Sequence, residues 1–172
     1  RVMITGGAGF IGSALVRLVM DAGGDVMAVD NLVNGKRENI ADLLGPRAIL
    51  VEADIRDESE MRRLLLECRV VFHLACLGVR HSIHSPRENH EVNASATLSL
   101  LQLACEAGVE RFVYVSSSEV YGTGVRVPMD EDHPCFPHTV YGASKLAGEC
   151  YTRAFHRTYG CATVVVRPFN SH

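Results

Sequence analysis

The sequence predicts an α/β fold on a doubly wound parallel sheet, and three observations lead there. Short apolar runs of strand length alternate with segments of helical period along the whole chain. The residues with chemistry to offer cluster just after the apolar runs. No repeat or low-complexity stretch breaks the alternation. Strands alternating with helices call for a parallel sheet covered on both faces. Right-handed crossovers then give the strand order 3-2-1-4-5-6, with ligands expected at the carboxyl ends of the strands. The 172 residues suffice for one domain, 1–172, and are too few to expect two.

Val2-Met3-Ile4 reads as a buried strand, followed by a Gly-rich turn and a helix from Phe10 to Ala22. Asp25 to Asp30 is the second strand, and Arg37 to Leu44 a short helix closed by Gly45-Pro46. Ala48 to Glu52 is the third strand, Glu58 to Cys68 a helix and Val70 to Leu74 the fourth strand. Pro86 to Ala107 reads as one helix stopped by Gly108. Phe112 to Ser116 is the fifth strand, and a loop rich in Pro, Gly and His runs on to Thr139. Val140 to Tyr159 is a long helix ended by Gly160, and Ala162 to Val166 the sixth strand.

Composition excludes several classes. A net charge of -3 leaves no electrostatic footprint for nucleic acid or an anionic membrane. No apolar run approaches the roughly 18 residues that span a bilayer, and the first apolar residues are already strand and turn rather than a signal peptide. The six cysteines are scattered, with no C-x-x-C pair and no zinc spacing, so they read as small core residues or idle thiols in a reducing cytoplasm. His81 and His84 have a tempting spacing but no convincing third ligand, so no metal is expected. Both ends read as cut, inside the first strand and just after the sixth.

The first turn is Thr5-Gly6-Gly7-Ala8-Gly9-Phe10-Ile11-Gly12. Gly6 permits a tight turn, Gly9 lets the backbone approach a pyrophosphate, and Gly12 lets helix and strand pack closely. At the helix start, with Phe10 and Ile11, unpaired N–H groups and a partial positive charge face the phosphates. Three glycines alone are a weak signal; between a strand and a helix they indicate a dinucleotide. Asp30 ends the second strand 18 residues after Gly12, placed to accept hydrogen bonds from ribose hydroxyls or to cap a turn. Its charge repels a 2′-phosphate, which favours NAD over NADP. Asp54 and Ile55 follow the third strand and suit the adenine edge; Leu74 and Ala75 end the fourth, where a small residue lets a cofactor lie close.

Tyr141 and Lys145 stand four apart near the start of the long helix, on one face, about 5–6 Å apart at Cβ. The ammonium favours phenolate, so the tyrosine should titrate closer to working pH. Y-x-x-x-K is common by chance, but here it follows Ser116-Ser117-Ser118-Glu119 by one loop.

These stretches together resemble the extended short-chain dehydrogenases, and within them the NAD-dependent epimerase/dehydratase family: TGGAGFIG, DNL-x-x-G, ADIRD, HLAC, VYVSSSEVYG, VYGASKLAGE and VVRPFN, in family order over nearly the whole chain. The resemblance implies a Rossmann domain lacking most of a carboxyl-terminal substrate lobe, a fragment without turnover of its own, and a homodimer of the full-length protein through helices 86–107 and 140–159. It implies NAD contacts at Gly6, Gly9, Gly12, Asp30, Asn31, Asp54, Ile55, Ala75, Tyr141 and Lys145. Ser117 falls on the catalytic hydroxyl, and Asn93 on the asparagine of an N-V-x-G-T stretch, although Ala96 replaces its glycine. Ser82 and Ser118 fall on the substrate side, with Arg80 and His84 nearby, and Asn170 on a residue that approaches a substrate diphosphate.

The implied first step is oxidation of a nucleotide-sugar hydroxyl to a 4-keto sugar, and Glu119 bears on the fate of that intermediate. Many 4,6-dehydratases carry Asp-Glu where this chain has Ser118-Glu119; the pair resembles decarboxylases of nucleotide sugars. The DNL segment resembles UDP-glucose 4-epimerases. The expected activity is therefore a UDP-sugar 4-epimerase, with UDP-glucuronate decarboxylase or 4,6-dehydratase as alternatives. A reductase using free NADPH is disfavoured by Asp30, and a non-catalytic NAD sensor by the joint presence of Ser117, Tyr141 and Lys145.

Overall fold

The computed structural model describes residues 1–169, which form one parallel sheet of order β3-β2-β1-β4-β5-β6. The strands are β1 (Val2–Thr5), β2 (Val26–Asp30), β3 (Ala48–Glu52), β4 (Val70–His73), β5 (Arg111–Val115) and β6 (Thr163–Val166). The chain reverses direction of travel between β1 and β4, the switch point where the cleft of such sheets opens. Register aligns Thr5 with Val29 on one side and His73 on the other, so the ends of β2, β1 and β4 open onto one rim.

Alternation along each strand sorts the core into two layers. Met3, Met27, Val71, Phe112 and Tyr114 pack with Met61, Leu64, Leu100 and Leu101 under α2 (Glu58–Leu65), α5 (Ala96–Glu106) and α6 (Val140–Tyr159). Ile4, Ala28 and Val26 face the other way, onto Val16 of α1 (Phe10–Asp21) and Ile40. The expectation of a sheet covered on both faces fails at one end: Val164 and Val166 of β6 are exposed.

Local chemistry sets the helix ends. Asp57 caps α2 by accepting the Glu60 N–H at 3.0 Å. Thr139 caps α6 by accepting the Gly142 N–H at 2.9 Å, and Gly160 stops it at φ 71°, a left-handed position that favours glycine. The predicted helix at 37–44 is instead two 3₁₀ turns, Arg37–Asn39 and Ala41–Leu43, and the helix predicted to reach Cys68 ends at Leu65.

Two further departures bear on the site. The single helix expected over 86–107 is α4 (Pro86–His90), a π-helical turn (Glu91–Ser95) and α5, preceded by α3 (Val79–His84). The wide π turn lets Asn89 and Asn93 both reach Leu77, with Nδ2 of each 2.8 Å from its carbonyl. Cysteine is the other departure. Cys105, in the last turn of α5, and Cys161, just before β6, form a disulfide with Cα atoms 6.1 Å apart. They lie 56 residues apart and meet only because α6 returns the chain beside the end of α5. The inference of a reducing compartment, which rested on six free thiols, loses that support. No helix among the described residues is long and apolar enough to cross a membrane.

Candidate active site

A cleft of about 850 Å³ opens along the carboxyl ends of the strands. At one end lies the glycine turn. An added Cβ at Gly12 would run into the Gly6 carbonyl, so α1 can start this close to β1 only with glycine there. No side chain caps α1, and Phe10 and Ile11 line the cleft, exposed. Its first N–H groups thus face the cleft free for an anion.

Asp30 takes the capping role that the sequence allows it. Its Oδ2 accepts the Ala8 N–H at 3.0 Å and its Oδ1 the Leu32 N–H at 2.9 Å. Each oxygen keeps a lone pair, and the residue lines the cleft. Gly35 leaves it room, since a Cβ there would collide with both oxygens.

Asp54 differs from expectation. Arg56 donates to it from the backbone N–H and Nε at 2.9 Å and from Nη2 at 2.7 Å, and Asn31 Nδ2 donates at 3.1 Å. These four bonds occupy its carboxylate and, with Arg56 first among the causes, hold it down to about 2. An adenine amino group would have to displace one of them. Beyond Arg56 the charges continue to Glu88 at 3.6 Å, which meets His81 Nε2 at 3.1 Å.

Ser117, Ser118, Glu119, Tyr141 and Lys145 line the other end. Gly142 brings them together, because a Cβ there would strike the Glu119 carbonyl; the first turn of α6 therefore lies against the turn after β5. The Ser118 N–H donates to the Pro168 carbonyl at 3.1 Å, fixing that turn to the end of β6. Ser117 and the Tyr141 phenol lie close enough to influence one another's proton. The expected fall of the tyrosine is reversed: burial pushes it up, Cys76 adds to the rise, and Lys145 and Ser117 oppose it. Sequence spacing displays the neighbouring charge but not the desolvation.

Leu74, Ala75 and Ile55 line the cleft as expected. Asn93 does not. It is 1% exposed, and its amide accepts the Leu77 N–H and donates to the Leu77 carbonyl, both at 2.8 Å. It thereby holds the loop after β4 from beneath. Ser82 is buried too, donating to the Val79 carbonyl at 2.7 Å within α3, and neither Arg80 nor His84 reaches the cleft. Asn170 lies outside the described residues. Sequence reasoning missed Cys76, Arg56, His81 and Glu88 as lining residues. Arg56 was signalled by its place in ADIRD, whereas nothing marked His81 except a metal-like spacing. No group of three metal-ligating side chains occurs among the described residues.

Residues 2–171 match the NAD dependent epimerase/dehydratase family. The chain belongs to that family. It is 37% identical to the UDP-glucose 4-epimerase of Azospirillum brasilense, over 99% of this chain and 49% of the relative. It is 33% identical to UDP-glucuronic acid decarboxylase 1 of Arabidopsis thaliana, over 100% of this chain and 40% of the relative. A dTDP-glucose 4,6-dehydratase of Streptomyces venezuelae, solved with NAD bound, superposes with a TM-score of 0.92 at 38% identity, covering 97% of this chain and 55% of that one. The chain thus spans about half the length of these relatives. The family is NAD-dependent, and the residues present fit NAD: a glycine cradle at an uncapped helix start, a carboxylate with acceptor capacity to spare, and one cleft lined by both the glycine turn and Tyr141 and Lys145.

Proposed function

We propose that this chain is the cofactor-binding and catalytic half of a nucleotide-sugar 4-epimerase that works through a transient 4-keto sugar, with a UDP-sugar as substrate. The observation that carries the reading is the convergence of Ser117, Tyr141 and Lys145 on the same cleft as the glycine turn. In this reading the amides of Phe10, Ile11 and Gly12 hold the pyrophosphate, and Asp30 accepts from the adenosine ribose with Asn31 beside it. Ile55 and Leu74 flank the adenine, and Ala75 leaves room for the cofactor. Lys145 holds the nicotinamide ribose. NAD supplies the hydride acceptor and, at the nicotinamide, a positive charge that favours the Tyr141 phenolate.

Tyr141 takes the proton from the sugar C4 hydroxyl while Ser117 donates a hydrogen bond to the same oxygen. Lys145 counters the burial that otherwise keeps the phenol protonated. The step reverses after the keto sugar has rotated: the hydride returns to the opposite face of C4, and Tyr141 gives its proton back to the C4 oxygen. Ser118, on the lining of the cleft, contacts the sugar.

Glu119 supports a second reading. It is exposed, in the cleft, two residues from Ser117, where a carboxylate can serve as an additional base in elimination or in decarboxylation of a uronic acid. The deciding experiment follows UDP-glucose, UDP-N-acetylglucosamine and UDP-glucuronate by proton NMR with the full-length protein and no added cofactor. The C4 epimer is expected, and Tyr141→Phe abolishes it. A UDP-pentose or an accumulating keto sugar would overturn the epimerase reading in favour of the one through Glu119. We read the full-length protein as a homodimer through α5 and α6, whose Leu98, Val140 and Tyr159 are exposed.

A further inference from the structure

Lys145 is 2% exposed, and among the described residues no carboxylate pairs with it. A buried ammonium is costly unless something replaces its water. Against it lies an aromatic face: Nζ sits 4.5 Å from the centroid of the Tyr114 ring, on β5. That is within cation–π range.

The ring is held on every side. Its hydroxyl donates to the Lys145 carbonyl at 3.3 Å, tying the ring to the backbone of the residue whose side chain it carries. A Cβ at Gly148, one turn further along α6, would collide with that hydroxyl, so glycine there lets helix and ring approach. Behind Tyr114 lies His73 of β4, with ring centroids 5.7 Å apart. The histidine is itself locked. Thr97 gives its proton to the Asn93 carbonyl at 2.8 Å, so at 2.9 Å it can only accept from His73 Nε2. His73 Nδ1 then accepts from the Thr5 hydroxyl at 2.7 Å, and that oxygen accepts the Ala75 N–H at 3.2 Å. This neutral chain of hydrogen bonds puts no second charge behind the ring.

We propose that Tyr114 is a positioning residue whose ring face seats the Lys145 ammonium and so aims it at Tyr141. The inference rests on the reading of Tyr141 as the proton acceptor. The groups around the ammonium are Tyr141 on α6, Tyr114 on β5 and His73 on β4, with Cys76 near both tyrosines; Glu149, further along α6, is engaged by Arg167. Among the described residues no carboxylate reaches the ammonium to replace the ring. Without the ring the phenolate loses its positive neighbour, and proton abstraction needs a higher pH.

Two measurements test this. Lys36 and Lys145 are the only lysines of the sequence, and Lys36 is exposed. In the chain labelled at lysine, the ε-methylene protons of Lys145 should resonate upfield of those of Lys36 through the ring current. Tyr114→Phe should keep that shift and Tyr114→Leu remove it. In the full-length enzyme, the acid limb of the kcat–pH profile should stay in place for Tyr114→Phe. For Tyr114→Leu it should move about one pH unit higher, or ~1.4 kcal/mol. If the leucine variant does not fold, 3,4,5-trifluorophenylalanine at 114 keeps the shape, weakens the π face and should move the limb the same way. An unshifted Lys145 signal, or an acid limb indifferent to both replacements, would overturn the proposal. Turnover that survives Tyr141→Phe would sink the functional reading instead, and the NMR result would still decide the seat.

Discussion

Replacing Glu149 is expected to cost more stability than removing any other single charge in this chain. Glu149 is fully buried in α6, and Arg167, just past β6, grips both its oxygens, Nε at 2.8 Å and Nη2 at 2.7 Å. The guanidinium is raised well above its usual range by that contact. It also lies 4.8 Å over the Tyr121 ring and donates to the Glu131 carbonyl at 3.3 Å. Arg153 reaches the carboxylate at 3.4 Å but is more than half exposed and adds little. Glu149→Ala leaves Arg167 charged, largely buried and without its carboxylate, a loss of ~3–5 kcal/mol. For a domain of this size that is a fall in Tm of roughly 6 to 20 °C. The pair itself contributes little beyond an apolar replacement, so Glu149→Leu with Arg167→Met should recover at least half of the loss. Thermal unfolding followed by circular dichroism reads both. A single variant within about 3 °C of the parent, or a double variant no better than the single, would refute the reasoning. The consequence reaches the site, because Val166 and Pro168 on either side of Arg167 accept the Ser116 and Ser118 N–H groups and so fix Ser117.

Three further outcomes are expected. Gly12→Ala puts a methyl group against the Gly6 carbonyl, an overpacking of ~1–3 kcal/mol that weakens NAD binding about 5- to 150-fold in titration calorimetry. His73 is pushed down to about 3, chiefly by burial and then by Lys145. Its folded value lies below the unfolded one near 6.5, so the unfolded chain binds the extra proton and stability falls as pH drops from 6.5 towards 3. The unfolding free energy from urea titrations should fall by about 2 kcal/mol between pH 7 and 5, a slope that His73→Gln removes and that carboxylates, titrating lower, do not supply. Reduction of Cys105–Cys161 opens a loop closed across 56 residues. A thermal scan with and without reductant should register ~4 kcal/mol, and the Cys105→Ala variant should show no dependence on reductant.

Much of the architecture was legible because buried parallel strands read as short apolar runs, and because turns at their ends need residues with special chemistry. The strand order, the glycine turn and the approach of Tyr141 to Ser117 all follow from that pattern. The pairing of Cys105 with Cys161 was not legible, since it depends on where a twenty-residue helix ends in space. Nor was the π turn, because Asn89 and Asn93 stand at an ordinary helical spacing.

The departures from expectation at the site share one physical origin. A polar residue that meets a ligand and one that holds a loop can stand at the same distance after a strand, and sequence alone weighs them equally. Hydrogen-bond capacity separates them. Asn93 is buried off the cleft, with both Nδ2 protons spent among Leu77, Asn89 and Ser144 and its Oδ1 holding the Leu77 N–H. Ser82 gives its one proton to its own helix. Asp54 is filled by Arg56 and Asn31, so it can serve adenine only by giving up a bond it already has. Asp30 accepts two backbone N–H groups and still has a free lone pair on each oxygen, facing the cleft. By that accounting Asp30, rather than Asp54, is the carboxylate whose loss should be felt first in cofactor affinity, because it alone can accept from a ligand without first releasing a protein donor.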